Sequence, residues 1–439
     1  MRDAKTSQDT STGLQKIVDR ARRDPNGRIL SLAHRIDVPA LARAYRRLRN
    51  DASVGIDGVT KAEYGQELQR RLEDLHARLK SKRWRHQPIR RVHIPKGEGK
   101  TRPIGISSVE DKIVQGAIRE VLEGIYEQDF LDCSHGFRPG RSAHDAVRAL
   151  HRAVYQDKVQ WIIEADITSF FDSVDRTKLM EMLRTRIADE SLMRLVGKCL
   201  HVGVLDGAEY TEPNQGTTQG SGLSPLLANI YLHTVLDRWI ETEIKPRLRG
   251  GATLVRYADD LVIGFERRDD AERVMAVLPK RLGRYGLALH PAKTRLLPFG
   301  RPQNKTGPRP EPFDFLGFTH YWRRTRGGRW ATWCKTMRTR LRRAIQSATE
   351  YCRSHRHDAV KMQHAALTRR IQGHFNYFGV NGNLSSLGHL VHEIKHQWLK
   401  WLRRRSQKTR LTWERYAQLL KRYPLPVPQV RVQIWGSRP

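Results

Sequence analysis

Short runs of apolar residues mark the central part of the chain. Residues 253–255 and 261–263 are typical of buried β-strands, and the segment Tyr257–Asp260 between them predicts the tight turn of a hairpin. The apolar run 161–167 predicts another buried strand, with an acidic residue close to its end. The pattern therefore predicts three carboxylates at neighbouring strand ends: Asp166, Asp259 and Asp260.

Three carboxylates in this arrangement suggest a metal-dependent reaction. Adjacent acidic side chains at a tight turn repel one another, and a bound cation, most naturally Mg²⁺, relieves that repulsion. Two-metal nucleotidyl transfer requires such a set, because one ion activates a 3′-hydroxyl and the other holds the triphosphate and leaving group. The alternative is a solvated polar turn, since an isolated Asp-Asp pair in a long chain commonly has no chemical role.

The first 85 residues are predicted to be mostly helical. Apolar side chains recur there at helical spacing, at Leu68, Leu72, Leu75 and Leu79. Basic residues between them give the same helix a positive face, which is either solvated or in contact with a polyanion.

Extended and irregular segments follow. Basic and apolar residues alternate from Ile89 to Ile106 and turn through Gly97–Lys100, which predicts a basic β-hairpin. Gln215–Pro225 is a glycine-rich bend before an apolar helix, and its glycines allow the backbone to approach a ligand closely. The breaker-rich residues 299–312 predict a loop inside a domain.

The charge of the chain points to a polyanionic partner. The sequence has 80 Lys and Arg against 46 Asp and Glu, a net charge of +34 and a pI near 10.6. Arg323 to Pro439 alone contains 26 basic and 4 acidic residues. No apolar run approaches the roughly 18 residues needed to span a bilayer, and the mean hydropathy is −0.64. Nucleic acid is therefore favoured over a membrane surface, and the lack of an N-terminal secretion signal predicts a cytoplasmic protein.

The four cysteines have no paired spacing, which disfavours a disulfide framework or a zinc ribbon. A zinc site from Cys334, Cys352, His355 and His357 is the alternative, but this spacing matches no standard zinc knuckle.

Several motifs occur in the order found in reverse transcriptases, and the chain resembles the group II intron-encoded proteins of that class. The motifs are Arg102–Ile106, Ser134–Pro139, Phe170–Asp172, Gln219-Gly220 with Leu223–Pro225, Arg256–Asp260, Lys293-Thr294 and Phe315–Phe318. Near the start, Ala42–Leu48 with Gly55–Thr60 is similar to the N-terminal extension and lid of this family. The resemblance extends over nearly the whole chain.

This resemblance implies an α+β fold, a right-hand polymerase with fingers and palm, an N-terminal helical extension and an α-helical thumb or maturase domain. The implied domains are 1–85 for the extension with its lid and 86–322 for the fingers and palm. Residues 323–439 would form the basic thumb and maturase region, ending in a short DNA-binding tail. A loop of this family usually has proline where this chain has Thr218, which affects the rigidity expected of the loop.

The resemblance also implies roles for individual residues. The catalytic set is Asp166, Asp259 and Asp260, and the metal ligands are Asp166, Ile167 and Asp259. The deoxynucleotide would be bound by Lys96, Arg102, Phe171 and Gln219, with Arg90 a weaker candidate. An aromatic ring at Phe171 would clash with a ribose 2′-hydroxyl, whereas Phe170 should be a core residue because successive strand side chains point to opposite faces.

The C-terminal segments 368–380 and 398–406 resemble the maturase-specific thumb. They combine arginines, which are hard to bury, with aromatic residues that are expected to be mainly core. The predicted nucleic-acid contacts are Arg43, Arg46, Arg47, Lys293, Arg369, Arg370, Arg403, Arg404, Arg405, Lys408 and Arg410.

The function implied is RNA-directed DNA polymerisation by a group II intron protein, which also helps its intron to splice and copies it during target-primed retrohoming. The expected partners are intron RNA, single-stranded or nicked target DNA, and deoxynucleotides, within a nucleoid-associated ribonucleoprotein of a bacterium. The sequence shows no His and paired-Cys block after the thumb, which predicts an endonuclease-lacking type. The alternatives are an RNA-binding splicing factor, or a domesticated defence or repair reverse transcriptase.

Overall fold

The computed structural model describes residues 12–97, 100–207, 209–211, 215–217, 220–303, 309–325, 327–406 and 411–435. The helices are α1 (Thr12–Arg23), α2 (Val38–Arg47), α3 (Lys61–Gly65), α4 (Leu68–Lys80), α5 (Val109–Asp129), α6 (Ala143–Gln156), α7 (Phe170–Ser173), α8 (Arg176–Arg186), α9 (Glu190–Leu200), α10 (Ser224–Leu232), α11 (Arg268–Gly283), α12 (Arg338–Ser354), α13 (Val360–Phe378), α14 (Leu384–Arg403) and α15 (Trp413–Arg422).

The strands form three sheets. They are β1 (Ile89–Gly97), β2 (Lys100–Ile106), β3 (Trp161–Asp166), β4 (Val204–Asp206), β5 (Glu209–Thr211), β6 (Ala252–Tyr257), β7 (Asp260–Phe265), β8 (Arg295–Pro298), β9 (Phe313–Phe315), β10 (Phe318–Arg324) and β11 (Trp330–Thr336). The central sheet has the order β6-β7-β3-β8, and the others have the orders β2-β1-β4-β5 and β11-β10-β9.

Both faces of the central sheet are buried, which explains the nearly continuous apolar runs of β3 and β7. Ile163 and Ile263 pack into the large core formed with helices α5 and α8–α11. Ile162 and Val262, one position away on the same strands, face a second core formed with α6 and the sheet β9–β11. The antiparallel pairing of β3 with both β7 and β8 places β3 in the interior of the sheet.

Side-chain caps fix the helices that frame this sheet. Ser108 accepts a hydrogen bond from the backbone N–H of Asp111 at the start of α5. At the start of α6, Ser142 and Asp145 form a reciprocal capping box. Because caps satisfy backbone groups that the first helical turn leaves unpaired, these short polar residues define where each helix begins.

The predicted helical N-terminal region and basic hairpin are both present. Residues 12–80 contain helices α1–α4, and Leu72, Leu75 and Leu79 are buried on α4. Strands β1 and β2 pair antiparallel, with Ile94 opposite Arg102. The four cysteines are unpaired thiols, and no helix among the described residues is long and apolar enough to cross a membrane.

The C-terminal helices α12–α15 build a core of their own. Phe375 and Trp398 are fully buried in it, while Tyr377 and Trp401 are partly buried, which agrees with their expected packing role. The predicted boundary between residues 322 and 323 falls inside β10, whose full length pairs with β11. The helical region itself begins at Arg338.

Candidate active site

The β6–β7 turn and the end of β3 place the three predicted acidic residues at the same end of the central sheet. Tyr257 pairs with Asp260, so Ala258 and Asp259 form a two-residue turn. Ala258 has φ +56°, in the left-handed region that tight hairpin turns require. On the other side of β7, Asp166 at the end of β3 lies directly opposite Asp260. The strand register alone therefore groups the acidic side chains at one end of the sheet.

The electrostatics of this group are unfavourable without a cation. Burial raises the pKa of Asp259, and the charge of Asp166 raises it further. Part of Asp260 is exposed, yet loss of hydration together with the charges of Asp259 and Asp166 raises its pKa to about 7. Lys293 offsets some of this charge, since its Nζ lies 2.7 Å from Oδ2 of Asp166.

The residues at this site fit a divalent cation that prefers oxygen ligands. Asp166 and Asp259 supply carboxylates, while the side chain of Ile167 is buried and apolar, so only its backbone carbonyl could be a ligand. The ammonium group of Lys293 already contacts one of these carboxylates, that of Asp166. Within the described residues, however, no three carboxylate, imidazole or thiolate side chains are gathered closely enough to form a metal cluster.

Arg256 holds the turn from inside the protein, a role that no local sequence pattern indicated. Its guanidinium is completely buried and forms two hydrogen bonds, of 2.7 and 2.6 Å, with the carboxylate of Asp237. It also donates to Oγ of Ser134, Oδ1 of Asn229 and the carbonyl of Ala258. A fork of five N–H donors thus connects the turn to helix α10 and to the loop before α6.

The loop containing Ser134–Pro139 lies directly against the turn. The backbone N–H of His135 donates to the carbonyl of Arg256 at 2.9 Å, and Nδ2 of Asn229 donates to the carbonyl of Gly136 at 2.7 Å. A β-carbon at Gly136 would lie 2.4 Å from the backbone nitrogen of Ala258, so the glycine is needed for close packing. This motif therefore supports the carboxylate turn.

The glycine-rich bend is held by other parts of the chain. A β-carbon at Gly216 would meet the backbone of Asp172 at 2.8 Å, and one at Gly220 would meet the carbonyl oxygen of Gly105 at 2.4 Å. These two glycines are therefore needed for close packing against neighbouring protein backbone. Their close approach to a ligand stays a prediction. Thr218 and Gln219 lie outside the described residues.

Gln115 on α5 connects the bend to the protein interior. Its Oε1 accepts hydrogen bonds from Oγ of Ser221 and the N–H of Gly222, both at 3.1 Å. Its Nε2 donates to Oγ of Ser107 and to Nε2 of His86. All four hydrogen-bonding positions of this buried amide are thus used, and no local sequence pattern indicated it.

Phe170 and Phe171 belong to the short helix α7, so the prediction of a strand at this point was wrong. Phe170 is buried, as expected, whereas Phe171 is partly exposed. The carbonyl of Phe171 accepts a hydrogen bond of 2.6 Å from the N–H of Thr217, which places it beside the glycine-rich bend. The two rings differ in exposure because of helical geometry and not because of strand alternation.

The residues predicted to meet the triphosphate lie on the β1–β2 hairpin. Arg102 is exposed on β2, and its positive charge offsets part of the rise in the pKa of Asp259. The side chain of Lys96 is outside the described part of the structure. Arg90 donates to the carbonyl of Val54 at 2.7 Å and so holds the N-terminal segment instead.

The predicted nucleic-acid contacts differ in how free their side chains are. Arg43 is only 12% exposed and is paired with Glu120, which also binds Arg47. Arg405 donates to the carbonyls of Arg356 and Asp358.

The other predicted contacts are more accessible. Arg46, Arg369 and Arg370 are exposed. Arg403 donates to the carbonyl of Leu411 at 2.7 Å, and the guanidinium of Arg404 lies 5.3 Å from the centre of the Trp401 ring, although both arginines remain exposed. Lys408 and Arg410 lie outside the described residues.

Arg340, near the start of α12, is a candidate that the sequence reasoning missed. Its side chain is exposed, and its positive charge acts to lower the pKa of Asp260. The cluster of arginines at 338–343 was a visible signal, but only the packing of α12 brings one of them towards the carboxylates.

The central sheet and its three carboxylates lie within the part of the chain that resembles a nucleic-acid polymerase. Residues 94–320 match the family described as reverse transcriptase (RNA-dependent DNA polymerase), and this chain belongs to that family. The resemblance recognised from the motifs is therefore confirmed.

Three relatives illustrate the similarity. Protein YkfC of Escherichia coli is 35% identical over 281 residues, which are 57% of this chain and 74% of that protein. The group II intron-encoded protein LtrA of Lactococcus lactis is 37% identical over 198 residues, 45% of this chain and 33% of LtrA. A 91 kDa protein in the cob intron of Schizosaccharomyces pombe is 45% identical over 163 residues, 37% of this chain and 20% of that protein. The match thus spans a third or less of the last two relatives.

Proposed function

We propose that the protein is the RNA-directed DNA polymerase of a group II intron, which binds the intron RNA, assists its splicing and copies it from a target-DNA primer. The observation that carries this proposal is the grouping of Asp166, Asp259 and Asp260 at one end of the central sheet. This group lies within the region that matches the reverse transcriptase family. The similarity to an intron-encoded relative supports the link to an intron.

In this proposal Asp166, Asp259 and the backbone carbonyl of Ile167 hold Mg²⁺. Two bound Mg²⁺ ions would activate the 3′-hydroxyl of the primer and stabilise the departing diphosphate. In this proposal β3, β7 and Arg256 hold the backbone that carries the ligands, and the side chains would close around the ions when these bind. Lys293 neutralises Asp166 beforehand, and its 58% exposed side chain is free to move to a phosphate when a metal takes its place.

The incoming deoxynucleotide would lie between the β1–β2 hairpin and the carboxylates. Arg102 would contact the triphosphate with its guanidinium fork, and Lys96 would add a point charge. Phe171 would lie under the sugar and exclude a ribose 2′-hydroxyl, while Gln219 would contact the nucleotide or template. The contact between Thr217 and Phe171 supports this arrangement, because it connects the sugar position to the bend that carries Gln219.

Intron RNA would be held mainly by the basic C-terminal region, where phosphate contacts supply affinity without reading sequence. The exposed arginines Arg369, Arg370, Arg403 and Arg404 are the best candidates among the described residues. Arg405 and Arg43 are better explained as structural, since each is bound to other parts of the chain.

The test compares two variants in the same two assays. Asp259→Asn should abolish primer extension on an RNA template and leave intron RNA binding close to wild type, because the carboxylate holds metal and not RNA. The double change Arg403→Ala and Arg404→Ala should weaken RNA binding and reduce the slope of log affinity against log salt by up to about 1.4–1.8, at roughly 0.7–0.9 for each lost phosphate contact.

The matched control is Arg405→Ala, which should lower stability more than it changes the salt slope. Equal loss of extension and RNA binding in Asp259→Asn would show that the turn is structural. Extension that survives in Asp259→Asn would show that this carboxylate is not needed for polymerisation. A wild-type protein that binds intron RNA but does not extend the primer would favour an RNA-binding splicing factor. An unchanged salt slope in the double variant would mean that these two arginines are solvated surface.

A further inference from the structure

Phe137 is an exposed aromatic residue in an unfavourable backbone conformation. Phe137 is 45% exposed, and its backbone φ of +58° lies in the left-handed region that bulky residues rarely adopt. Neither feature stabilises the folded chain, because the ring gains little burial and the backbone is strained. A strained residue that the surrounding structure holds in place is typical of a functional position.

The loop around Phe137 leaves it little freedom. Gly136 is fixed against the carboxylate turn by its close packing and by Asn229. On the other side, the buried Arg138 donates to the carbonyls of Leu131 and Ser134 at 2.8 and 3.0 Å. Arg138 also pairs with Glu127 on α5. The residues on both sides of Phe137 are therefore anchored, and the fold sets the position of the backbone that carries the ring.

The anchored ring borders the predicted reaction centre. The centres of the Phe137 and Tyr257 rings are 6.4 Å apart, and the ring planes are tilted by 40°. Tyr257 is the residue opposite Asp260 in the hairpin. An exposed apolar surface is thus presented beside the carboxylates of a protein with a net charge of +34.

We propose that Phe137 stacks on a nucleobase of the bound primer–template and so positions the nucleic acid at the carboxylates. The proposal rests on the polymerase function proposed above and adds a binding residue to it. A nucleobase suits this surface because every base has a flat π-face, so that stacking on an aromatic ring tolerates any sequence. The anchored loop lowers the entropic cost of stacking, because the backbone that carries the ring is already held in place.

Replacing Phe137 by glycine distinguishes a role in binding from a merely structural role, because the two roles predict different effects on the thermal unfolding midpoint. Glycine adopts a φ of +58° without strain, so Phe137→Gly should leave the thermal unfolding midpoint unchanged or raise it. If the ring mainly supported the turn, the same change would lower the midpoint. Stability and nucleic-acid binding therefore separate the two explanations.

The experiment measures the affinity of the full chain for a DNA primer annealed to an RNA template, by fluorescence anisotropy at several salt concentrations. Phe137→Gly should weaken binding by roughly 5- to 100-fold, the range for one lost base stack. The slope of log affinity against log salt should not change, because no phosphate contact is removed. Phe137→Tyr should bind within about twofold of wild type, since a tyrosine ring stacks equally well.

Tyr155→Ala is the matched control, because Tyr155 is a 53% exposed aromatic residue on α6, and it should bind like wild type. Wild-type affinity in Phe137→Gly would overturn the proposal, as would a lowered unfolding midpoint that accompanies the loss of binding. A wild-type protein that binds the primer–template but does not extend it would count against the polymerase function. The binding data would still test the stacking role of Phe137, because they do not depend on extension.

Discussion

Arg256 offers the sharpest test of how the fold positions the carboxylate turn. Its guanidinium and the carboxylate of Asp237 are both fully buried and form a bidentate ion pair with two hydrogen bonds. Replacing Arg256 by methionine leaves a buried carboxylate without a partner, which costs about 3–5 kcal/mol. Folded domains are stable by only about 5–15 kcal/mol, so Arg256→Met should remove a large part of the total.

The double variant Arg256→Met with Asp237→Leu separates stability from positioning. Replacing both members of a buried ion pair by apolar residues is often neutral, so most of the lost stability should return. The hydrogen bonds from Arg256 to Ser134, Asn229 and the carbonyl of Ala258 remain absent in this variant. The turn should therefore stay poorly positioned, and primer extension should remain at least about tenfold slower, which corresponds to about 1.4 kcal/mol.

Urea denaturation and single-turnover primer extension, measured on the same preparations, provide the two readouts. Recovery of both stability and rate in the double variant would show that Arg256 supports only the fold. A cost below about 1 kcal/mol in Arg256→Met would refute the uncompensated-charge reasoning itself, because an unpaired buried carboxylate should cost several times more.

Two further predictions concern the titration of the site and the glycine-rich bend. Because the pKa of Asp260 in the folded protein is raised to about 7, the metal-free protein should lose stability as pH rises from about 4 to 7. In denaturation curves recorded with a chelator, Asp260→Asn should show a smaller loss over this range. Identical curves for the two proteins would contradict the raised pKa. Gln115→Leu should raise the KM for deoxynucleotide more than it lowers kcat, since the bend loses hydrogen bonds worth about 1–3 kcal/mol. The control is Gln363→Leu, which removes a buried, hydrogen-bonded glutamine from the C-terminal helices and should lower stability without changing that KM. A rise in KM in both variants would show that general destabilisation causes the effect.

The interior strands could be predicted from the sequence because burial on both faces leaves a strong local signal. The runs that become β3, β6 and β7 are apolar almost throughout, and their polar ends locate Asp166, Asp259 and Asp260. The hairpin β1–β2 and the helices of the first 85 residues were likewise visible as alternation and helical spacing. Each of these patterns arises from neighbours in the chain.

Other features depend on residues far apart in sequence. In the sequence, Arg43 and Arg405 cannot be told apart from exposed arginines. In the folded chain Arg43 pairs with Glu120, and Arg405 donates to carbonyls of the loop before α13. Phe170 and Phe171 were expected to lie on a strand, but they begin a short helix after Ser169, which has a φ of +46°. A single turn of helix is too short to show periodicity.

The basic character of the protein, the acidic strand ends and the family of the chain can all be recognised from the order of its residues. The roles of Arg256 and Gln115 in holding the turn and the bend, and the exposure of the Phe137 ring beside Tyr257, become visible only in the folded chain. Composition and periodicity are local properties of a chain. A buried hydrogen bond or a strained, anchored ring exists only after distant segments have packed together.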